Sequence, residues 1–308
     1  MSSALTLGIV LLATFGLAVL LLSGLVAIAW HAGLKRVRTA SADLLALRLF
    51  PVAGALLFVW TVVLPAFLSY EPYRDREAAG PLLLILAAFA LLTSGHGIWR
   101  GWRAWTAARS LLQACGPAKR CVVEDGCTVQ VVDIAKPIVG VIGGWRPRVV
   151  TAECVISACS QNEFRQVVAH EAAHVSARDN LKLLLLLACP DALAWTALGA
   201  ALIERWRTEA EFAADQRAAG DDPQKRLELA SALVKVARLF DTGLRARHAL
   251  TMSVALDDVE SRVRQLLAPA RATSPRFSKA LASLDFTADE LAALQRGNAL
   301  RMFPGLQT

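Results

Sequence analysis

The segment LKLLLLLACPDALAWTALGAALI, residues 181–203, decides how the rest of the chain can fold. It has 23 residues, and an apolar helix of about 20 residues is long enough to cross a bilayer. Pro190 and Asp191 lie near its centre, and both are poor choices for the middle of a lipid-facing helix, because proline removes an N–H group and aspartate carries a charge. If the chain turns there, each half is too short to span a core of ~30 Å at ~1.5 Å per residue. We therefore predict a helical hairpin that dips into the membrane or lies on it.

The stretch upstream of this segment, VVAHEAAHVSARDN at residues 167–180, carries two histidines four positions apart. On a helix, His170 and His174 point the same way and can bind one ion, and Glu171 lies beside them within reach of a water on that ion. This H-E-x-x-H arrangement is typical of zinc peptidases, in which the glutamate is the general base. Asp179 follows closely as a candidate partner of the ligands. A chance match on a solvated helix face is the alternative, but the chain has only five histidines.

The stretch downstream, ERWRTEAEFAADQRA at residues 204–218, offers a third ligand. Glu211 and Asp215 are four positions apart and share one helix face. We expect Glu211 to complete the zinc site and Asp215 to hydrogen-bond a ligand histidine or brace its helix. Glu204 and Glu209 compete on spacing alone, and a charged surface helix is the alternative for the whole run. A straight crossing by the preceding apolar segment would part Glu211 from the histidines, so the site requires the predicted turn.

Three earlier apolar runs, at residues 5–30, 49–68 and 81–99, are each long enough to cross a membrane. The chain is 55% hydrophobic, which exceeds the fraction of an ordinary soluble protein, and its net charge is +7. Because the basic residues cluster beside apolar runs, the charge favours the positive-inside rule over direct nucleic-acid binding. We predict a multi-pass protein of the bacterial inner membrane with its N-terminus outside and its catalytic domain in the cytoplasm. This orientation rests on Lys35, Arg36, Arg38, Arg100, Arg103 and Arg109.

A β-rich stretch separates the apolar runs from the H-E-x-x-H helix. Residues 128–133 and 137–152 are rich in β-branched side chains, and Gly143-Gly144 predicts a tight turn within a hairpin. Pro147 favours an edge position for the second strand. Such an edge either binds an extended peptide by strand addition or packs on the next helix, and the sequence does not choose between these. The six cysteines do not have the spacing of metal knuckles, and we expect them to be reduced.

Further helices are predicted on both sides of the metal-binding motif. The sequence SQNEF at 160–164 is a capping box, which starts the H-E-x-x-H helix. Residues 222–240 and 254–267 have apolar side chains at helical spacing and are expected to pack on the peptidase or on the membrane surface. Residues 269–278 resemble a linker, and TADE at 287–290 is the cap of a short final helix.

The sequence thus predicts a mainly α-helical membrane protein in three parts. Residues 1–99 form three transmembrane helices. Residues 100–218 form a cytoplasmic zinc peptidase domain with a small β-hairpin or sheet and the helical hairpin. Residues 219–308 form a helical C-terminal region. Many zinc peptidases stabilise the oxyanion with a tyrosine, histidine or arginine side chain. Both tyrosines lie in the predicted outer loop, so we expect His248, an arginine or the zinc ion alone to do this here.

These features together resemble the BlaR/MecR type of antirepressor membrane zinc metallopeptidase. The resemblance covers about residues 1–268 and is strongest at 137–218, in the motifs GGWRPRVV, VVAHEAAHVSARDN, CPDALAW and EAEFAAD. It implies that His170, His174 and Glu211 bind one zinc ion per chain and that Glu171 is the general base. It also implies that the substrate is a cytoplasmic protein, often a transcriptional repressor. Sensor members carry a further transmembrane helix and an extracellular penicillin-binding domain, and we expect neither here.

Two other functions remain open at this stage. One is a housekeeping protease of membrane proteins, of the heat-shock or prenyl-protein type, whose members share the Glu211-to-Asp215 spacing. The other is an inactive signalling scaffold that keeps the metal site for its shape. Glu171 argues against the scaffold, because a structural site needs the metal ligands but not the base.

Overall fold

The computed structural model describes residues 3–33, 39–70, 80–134, 136–241 and 256–268. The described residues are mostly helical (77%) and include a small four-stranded sheet, in agreement with the expected mainly α-helical fold class with a small sheet. The chain divides into two compact units. The apolar-helix unit comprises Met1–Ala104 and Lys182–Arg207, and the sheet unit comprises Trp105–Leu181 and Thr208–Thr308.

Three long apolar helices dominate the apolar-helix unit. They are α1 (Ser3–Ala32), α2 (Ser41–Tyr70, with a π-helical turn at Val59–Val63) and α3 (Pro81–Ala114). Each is long and apolar enough to cross a membrane, and many of their leucine and isoleucine side chains are exposed, as lipid-facing surfaces require. Helix α3 continues beyond the predicted end at residue 99, because hydropathy detects only the apolar part of a helix.

The apolar segment at 181–203 is not one continuous helix, because the helix is interrupted at Pro190, as the sequence predicts. Helix α6 (Asp179–Ala188) ends two residues before Pro190, and α7 (Ala197–Ala219) begins after a short 3-10 turn at Ala192–Trp195. Since proline lacks an N–H group and clashes with the preceding turn, α6 cannot continue through it. The two helices are therefore separate elements, as the hairpin prediction requires.

The sheet has the strand order β1-β2-β4-β3. Its strands are β1 (Arg120–Glu124), β2 (Cys127–Val132), β3 (Val139–Ile142) and β4 (Arg148–Ala152). Strands β1 and β2 pair antiparallel, β2 and β4 pair parallel, and β3 and β4 form the predicted antiparallel hairpin.

The edge assignment based on Pro147 was wrong. Strand β4, which follows Pro147, is an interior strand between β2 and β3. The ladder begins at the pair Ile142 and Arg148, so the missing N–H group of Pro147 falls in the turn and breaks no ladder bond. Strand β1 was also missed.

The remaining helices cover the sheet and each other. They are α4 (Glu153–Ala158), α5 (Gln161–Ala177), α8 (Pro223–Asp241) and α9 (Leu256–Leu267). Helix α5 packs on the sheet through Phe164 and Val168. Helices α8 and α9 bury their apolar faces together, which favours packing over the membrane surface for both predicted C-terminal helices. The predicted linker, the final short helix and His248 lie outside the described residues.

Candidate metal centre

Helix α5, which carries the H-E-x-x-H motif, begins at the predicted capping box. The Ser160 hydroxyl accepts a hydrogen bond from Glu163 N (3.3 Å), and the Glu163 carboxylate accepts one from Ser160 N (2.7 Å). The same carboxylate accepts hydrogen bonds from Ser231 and Lys235 of α8. The cap therefore also fixes α8 against the start of the motif helix.

The end of helix α5 turns the chain back on the motif. Arg178 has a left-handed conformation (φ 55), which ends α5 and lets α6 begin at Asp179. Oδ2 of Asp179 then lies 2.9 Å from Nδ1 of His174. The next residue, Asn180, donates hydrogen bonds from its side chain to the carbonyl groups of Val141 (2.8 Å) and Gly143 (3.1 Å).

The Asn180 contacts help to decide whether the β3 edge of the sheet binds a peptide strand or packs on a helix. Strand β3 is an edge strand, and all four of its residues are buried. Asn180 already donates to the carbonyl group of Val141 in β3 and to that of Gly143 just after it, which makes these acceptors less available to an added strand. The contacts favour the interpretation that this edge packs on the neighbouring helices.

The structure brings His170, His174 and Glu211 together. One ligand atom from each lies within 4.8 Å of the others, and all three side chains are buried. The two Nε2 atoms are 3.1 Å apart, and the Glu211 carboxylate lies 3.4 Å from Nε2 of His170 and 3.6 Å from Nε2 of His174. Glu204 is 56% exposed, and neither it nor Glu209 belongs to this cluster within the described chain.

A carboxylate holds the other ring nitrogen of each histidine. Asp215 Oδ1 lies 2.9 Å from Nδ1 of His170, in the same way that Asp179 contacts His174. When Nδ1 donates to the carboxylate, the tautomer leaves the Nε2 lone pair free to bind a metal ion. Both histidines thus present Nε2 to one point.

The Glu171 carboxylate, unlike the two histidine rings of the motif, has an oxygen atom without a hydrogen-bond partner among the described residues. It is buried, and within the described part of the chain its Oε2 atom has no hydrogen-bond partner. Burial raises the pKa of this carboxyl. An unpartnered buried carboxylate costs free energy unless a ligand or a water uses it. This fits an oxygen that receives a proton from a bound water.

Arg262 of α9 is the site residue that sequence reasoning did not single out. Its guanidinium is buried and contacts both oxygens of Asp215 (2.6 and 2.8 Å) and Oε2 of Glu211 (2.7 Å). Nη2 also lies 3.3 Å from Nε2 of His170. The sequence did carry a signal, because Arg262 lies on the apolar face of α9 between Val259 and Leu266, where an unpaired charge would be unfavourable.

The charge of the cluster fits a bound cation. Within the described part of the centre, four carboxylates are buried (Glu171, Asp179, Glu211 and Asp215), and Arg262 is the buried arginine that contacts two of them, Glu211 and Asp215. Burial opposes the charged imidazolium, but the carboxylates of Glu211 and Asp179 overcome it and raise the pKa of His174 to about 10. A metal ion that binds Nε2 would therefore displace a proton and supply the positive charge that the carboxylates favour. Buried charges are normally paired or bound to metals, and two imidazoles with a carboxylate are a donor set that suits zinc.

Comparisons with known proteins agree with this geometry. Searches of curated proteins and of solved structures found no match. Residues 140–214 match the model of Peptidase family M48, and this range contains the whole H-E-x-x-H motif and Glu211. The match supports a zinc metallopeptidase family but does not reach the finer BlaR/MecR assignment. Because the matched family consists of zinc metalloproteases, the match identifies the chain as a metallopeptidase.

Proposed function

We propose that this chain is a membrane-embedded, zinc-dependent endopeptidase that hydrolyses peptide bonds of a cytoplasmic protein. The observation that carries this proposal is the meeting of two Nε2 atoms and the Glu211 carboxylate beside the unpartnered oxygen of Glu171. One zinc ion per chain would be held by His170, His174 and Glu211.

Each residue of the centre has a separate task in peptide hydrolysis. A bound zinc would polarise the scissile carbonyl and acidify a water. Glu171 accepts the proton of the attacking water at Oε2 and passes it to the leaving amine. Asp215 and Asp179 hold the imidazole rings of His170 and His174 in the tautomer and orientation that metal binding through Nε2 requires.

Arg262 supplies positive charge next to the reacting group. Its Nη2 atom lies 3.3 Å from Nε2 of His170, and its Nη1 atom lies 2.7 Å from Oε2 of Glu211. A guanidinium there would stabilise the negative charge that develops on the carbonyl oxygen. His248 remains the other candidate for this role, and unchanged activity in a His248→Ala variant would exclude it.

The proposed setting is the bacterial inner membrane, with the metal centre on the cytoplasmic side. Three apolar helices support membrane embedding, and the arginines after the third run support this orientation through the positive-inside rule. A transcriptional repressor in a signalling pathway is the proposed substrate, from the resemblance to the BlaR/MecR type. The lipid bilayer is the other partner.

A housekeeping protease for membrane proteins is the second candidate. The spacing of Glu211 and Asp215 is compatible with it, because the heat-shock and prenyl-protein types share this spacing with the BlaR/MecR type. Quantitative proteomics of cells that carry Glu171→Gln would separate the two. Accumulation of a single regulator would support the signalling protease, whereas accumulation of many membrane proteins would support the housekeeping role.

The activity itself is tested with the purified full-length protein in lipid nanodiscs. We expect Glu171→Gln to retain zinc and to lose cleavage by about 10²–10⁴-fold, since it removes only the base. Glu204→Gln is the matched control, because this exposed glutamate lies outside the centre. Full cleavage by Glu171→Gln would refute the mechanism. Zinc binding without any Glu171-dependent cleavage would support the inactive scaffold instead.

A further inference from the structure

A buried ion pair joins α2 to the turn between α6 and α7. Arg48 of α2 and Asp191 of the turn form this pair through Nη1 and Oδ2, and their side chains are only 1% and 0% exposed. The same Oδ2 atom accepts a hydrogen bond from the buried thiol of Cys189, with 3.4 Å between the two atoms. A buried charge is tolerated when it is paired, which explains why an apolar segment accommodates an aspartate.

The ion pair uses only part of the Arg48 guanidinium. Among the described residues, Nε and Nη2 of Arg48 are buried and have no hydrogen-bond partner. These two atoms form one edge of the planar group, and this edge can donate two parallel hydrogen bonds to a carboxylate or a phosphate. Because a buried donor that is left unbonded costs free energy, the free edge favours a further acceptor.

A second arginine, Arg100 of α3, belongs to the same cluster. Its helix packs directly on the turn, since a Cβ atom added at Gly97 would lie 3.2 Å from Cα of Pro190. Coulombic interactions couple Arg100 to Arg48 and to Cys189. Nη1 of Arg100 is also buried and has no hydrogen-bond partner in the described part of the chain. Two guanidinium groups with free donors are therefore close together.

The charge of the cluster favours an anionic ligand. Asp191 is the only buried carboxylate among the described residues of the apolar-helix unit. It can neutralise one of the two guanidinium groups of Arg48 and Arg100, and one positive charge remains. A phosphodiester group carries one negative charge and has two free oxygen atoms that accept hydrogen bonds. It therefore matches both the charge and the donors of the cluster.

The two arginines lie at the ends of apolar runs. Arg48 directly precedes the run at 49–68, and Arg100 directly follows the run at 81–99. At the end of a membrane-spanning helix, a long basic side chain reaches the headgroup region, where the phosphates of lipids lie. Since one run begins and the other ends at these positions, the two arginines suit the same face of a bilayer.

We propose that Arg48 and Arg100 form a binding site for the phosphodiester group of an anionic phospholipid. Nε and Nη2 of Arg48 donate to its two free oxygens, and Nη1 of Arg100 donates to one of them. Inorganic phosphate shares this chemistry and is the alternative source. The inference concerns the apolar-helix unit alone and goes beyond the proposed peptidase activity. It rests on the proposed membrane embedding and not on the metal centre.

The test uses the purified full-length protein in a non-ionic detergent. Phosphatidylglycerol, phosphatidylcholine and inorganic phosphate are titrated separately, and the thermal midpoint is measured, because a ligand that binds the folded state raises it. We expect phosphatidylglycerol to raise the midpoint in a saturable way. Phosphatidylcholine, whose headgroup has no net charge, and inorganic phosphate should both raise it less.

Two variants test the donors, and a third is the control. We expect Arg100→Gln and Arg48→Lys each to weaken phosphatidylglycerol binding by about tenfold, since each removes a charge-assisted hydrogen bond. Lysine keeps the charge that pairs with Asp191 but lacks the free edge of the guanidinium. Arg103→Gln removes an exposed arginine three positions further along α3 and should bind the lipid as the wild-type protein does.

The outcomes distinguish the site from its alternatives. Wild-type phosphatidylglycerol binding by a folded Arg100→Gln variant would overturn the site, as would an equal loss in Arg103→Gln. An equal shift from phosphatidylcholine would overturn the preference for an anionic lipid, and a shift from inorganic phosphate alone would overturn the lipid as the source. If Arg48→Lys does not fold, the comparison of Arg100→Gln with Arg103→Gln decides. Failure of the proposed peptidase function would appear elsewhere, as full cleavage by Glu171→Gln.

Discussion

Nη1 of Arg262 lies 2.7 Å from Oε2 of Glu211, and both side chains are buried. The same guanidinium binds both oxygens of Asp215, which in turn contacts Nδ1 of His170. One arginine on α9 therefore fixes the carboxylate of the candidate metal ligand and the carboxylate that orients a histidine. The C-terminal helical region is part of the site and not an accessory to it.

Replacing Arg262 by lysine should lower kcat/KM by about 100-fold, the size of effect found when one oxyanion donor is removed. Lysine keeps the charge but lacks the planar fork that bonds Asp215 and Glu211 at the same time. Peptide cleavage at saturating zinc is the measurement, and Arg264→Lys, an exposed position on the same helix, is the control. Wild-type activity in Arg262→Lys would show that the fork is dispensable.

Removing the carboxylate behind either histidine should weaken zinc binding by about 10–100-fold. Asp179→Asn and Asp215→Asn keep the size of the side chain but lose the negative charge that holds Nδ1 protonated. Chelator competition measures the effect. The exposed Asp133→Asn is the matched control, and equal zinc affinity in all three variants would contradict the assigned roles.

Acid stability should depend on Glu163. Although burial opposes it, hydrogen bonds from Lys235, Ser231 and the Ser160 backbone lower the pKa of this carboxyl from its ordinary value of 4.5. A lowered folded-state pKa stabilises the fold above the ordinary value, and this contribution is lost as the pH falls through the folded-state value.

The thermal midpoint at pH 7 minus that at pH 4 should therefore be smaller in Glu163→Gln than in the wild-type protein. Gln161→Glu, at an exposed neighbouring position, is a control for a change of charge near the helix start. An unchanged pH dependence in Glu163→Gln would mean that other carboxyl groups account for the acid sensitivity.

Asn180→Ala should lower the free energy of unfolding by about 1–3 kcal/mol, because it leaves two carbonyl groups of the sheet unit without this donor. Denaturant unfolding measures the loss. Asn162→Ala, an exposed residue of α5, is the control. If the loss is absent, water replaces the amide at this edge, and strand addition by a substrate remains as good an interpretation of β3 as helix packing.

The strand β1 illustrates a local signal that was present but not used. Asp125 and Gly126 both have positive φ (49 and 78), and this Asp-Gly pair connects β1 to β2. Asp-Gly between two β-branched runs is a strong indication of a two-residue hairpin. Sequence reasoning could have found β1 from this pair, whereas the parallel pairing of β2 with β4 has no comparable local signature.

The sequence by itself determined the elements and the residue types of the centre. Helical spacing aligned His170 with His174, the capping box started their helix, and Pro190 ended the helix that follows the motif. These features depend on the period of the α-helix and on local hydrogen bonds, and both can be recognised in a short stretch of sequence.

Only the tertiary structure decided which distant residues meet. It selected Glu211 over Glu204, brought Arg262 to the ligands, and paired Arg48 with Asp191. Spacing along one helix cannot rank these candidates, because contacts between distant segments depend on how whole helices pack and on the need to neutralise each buried charge.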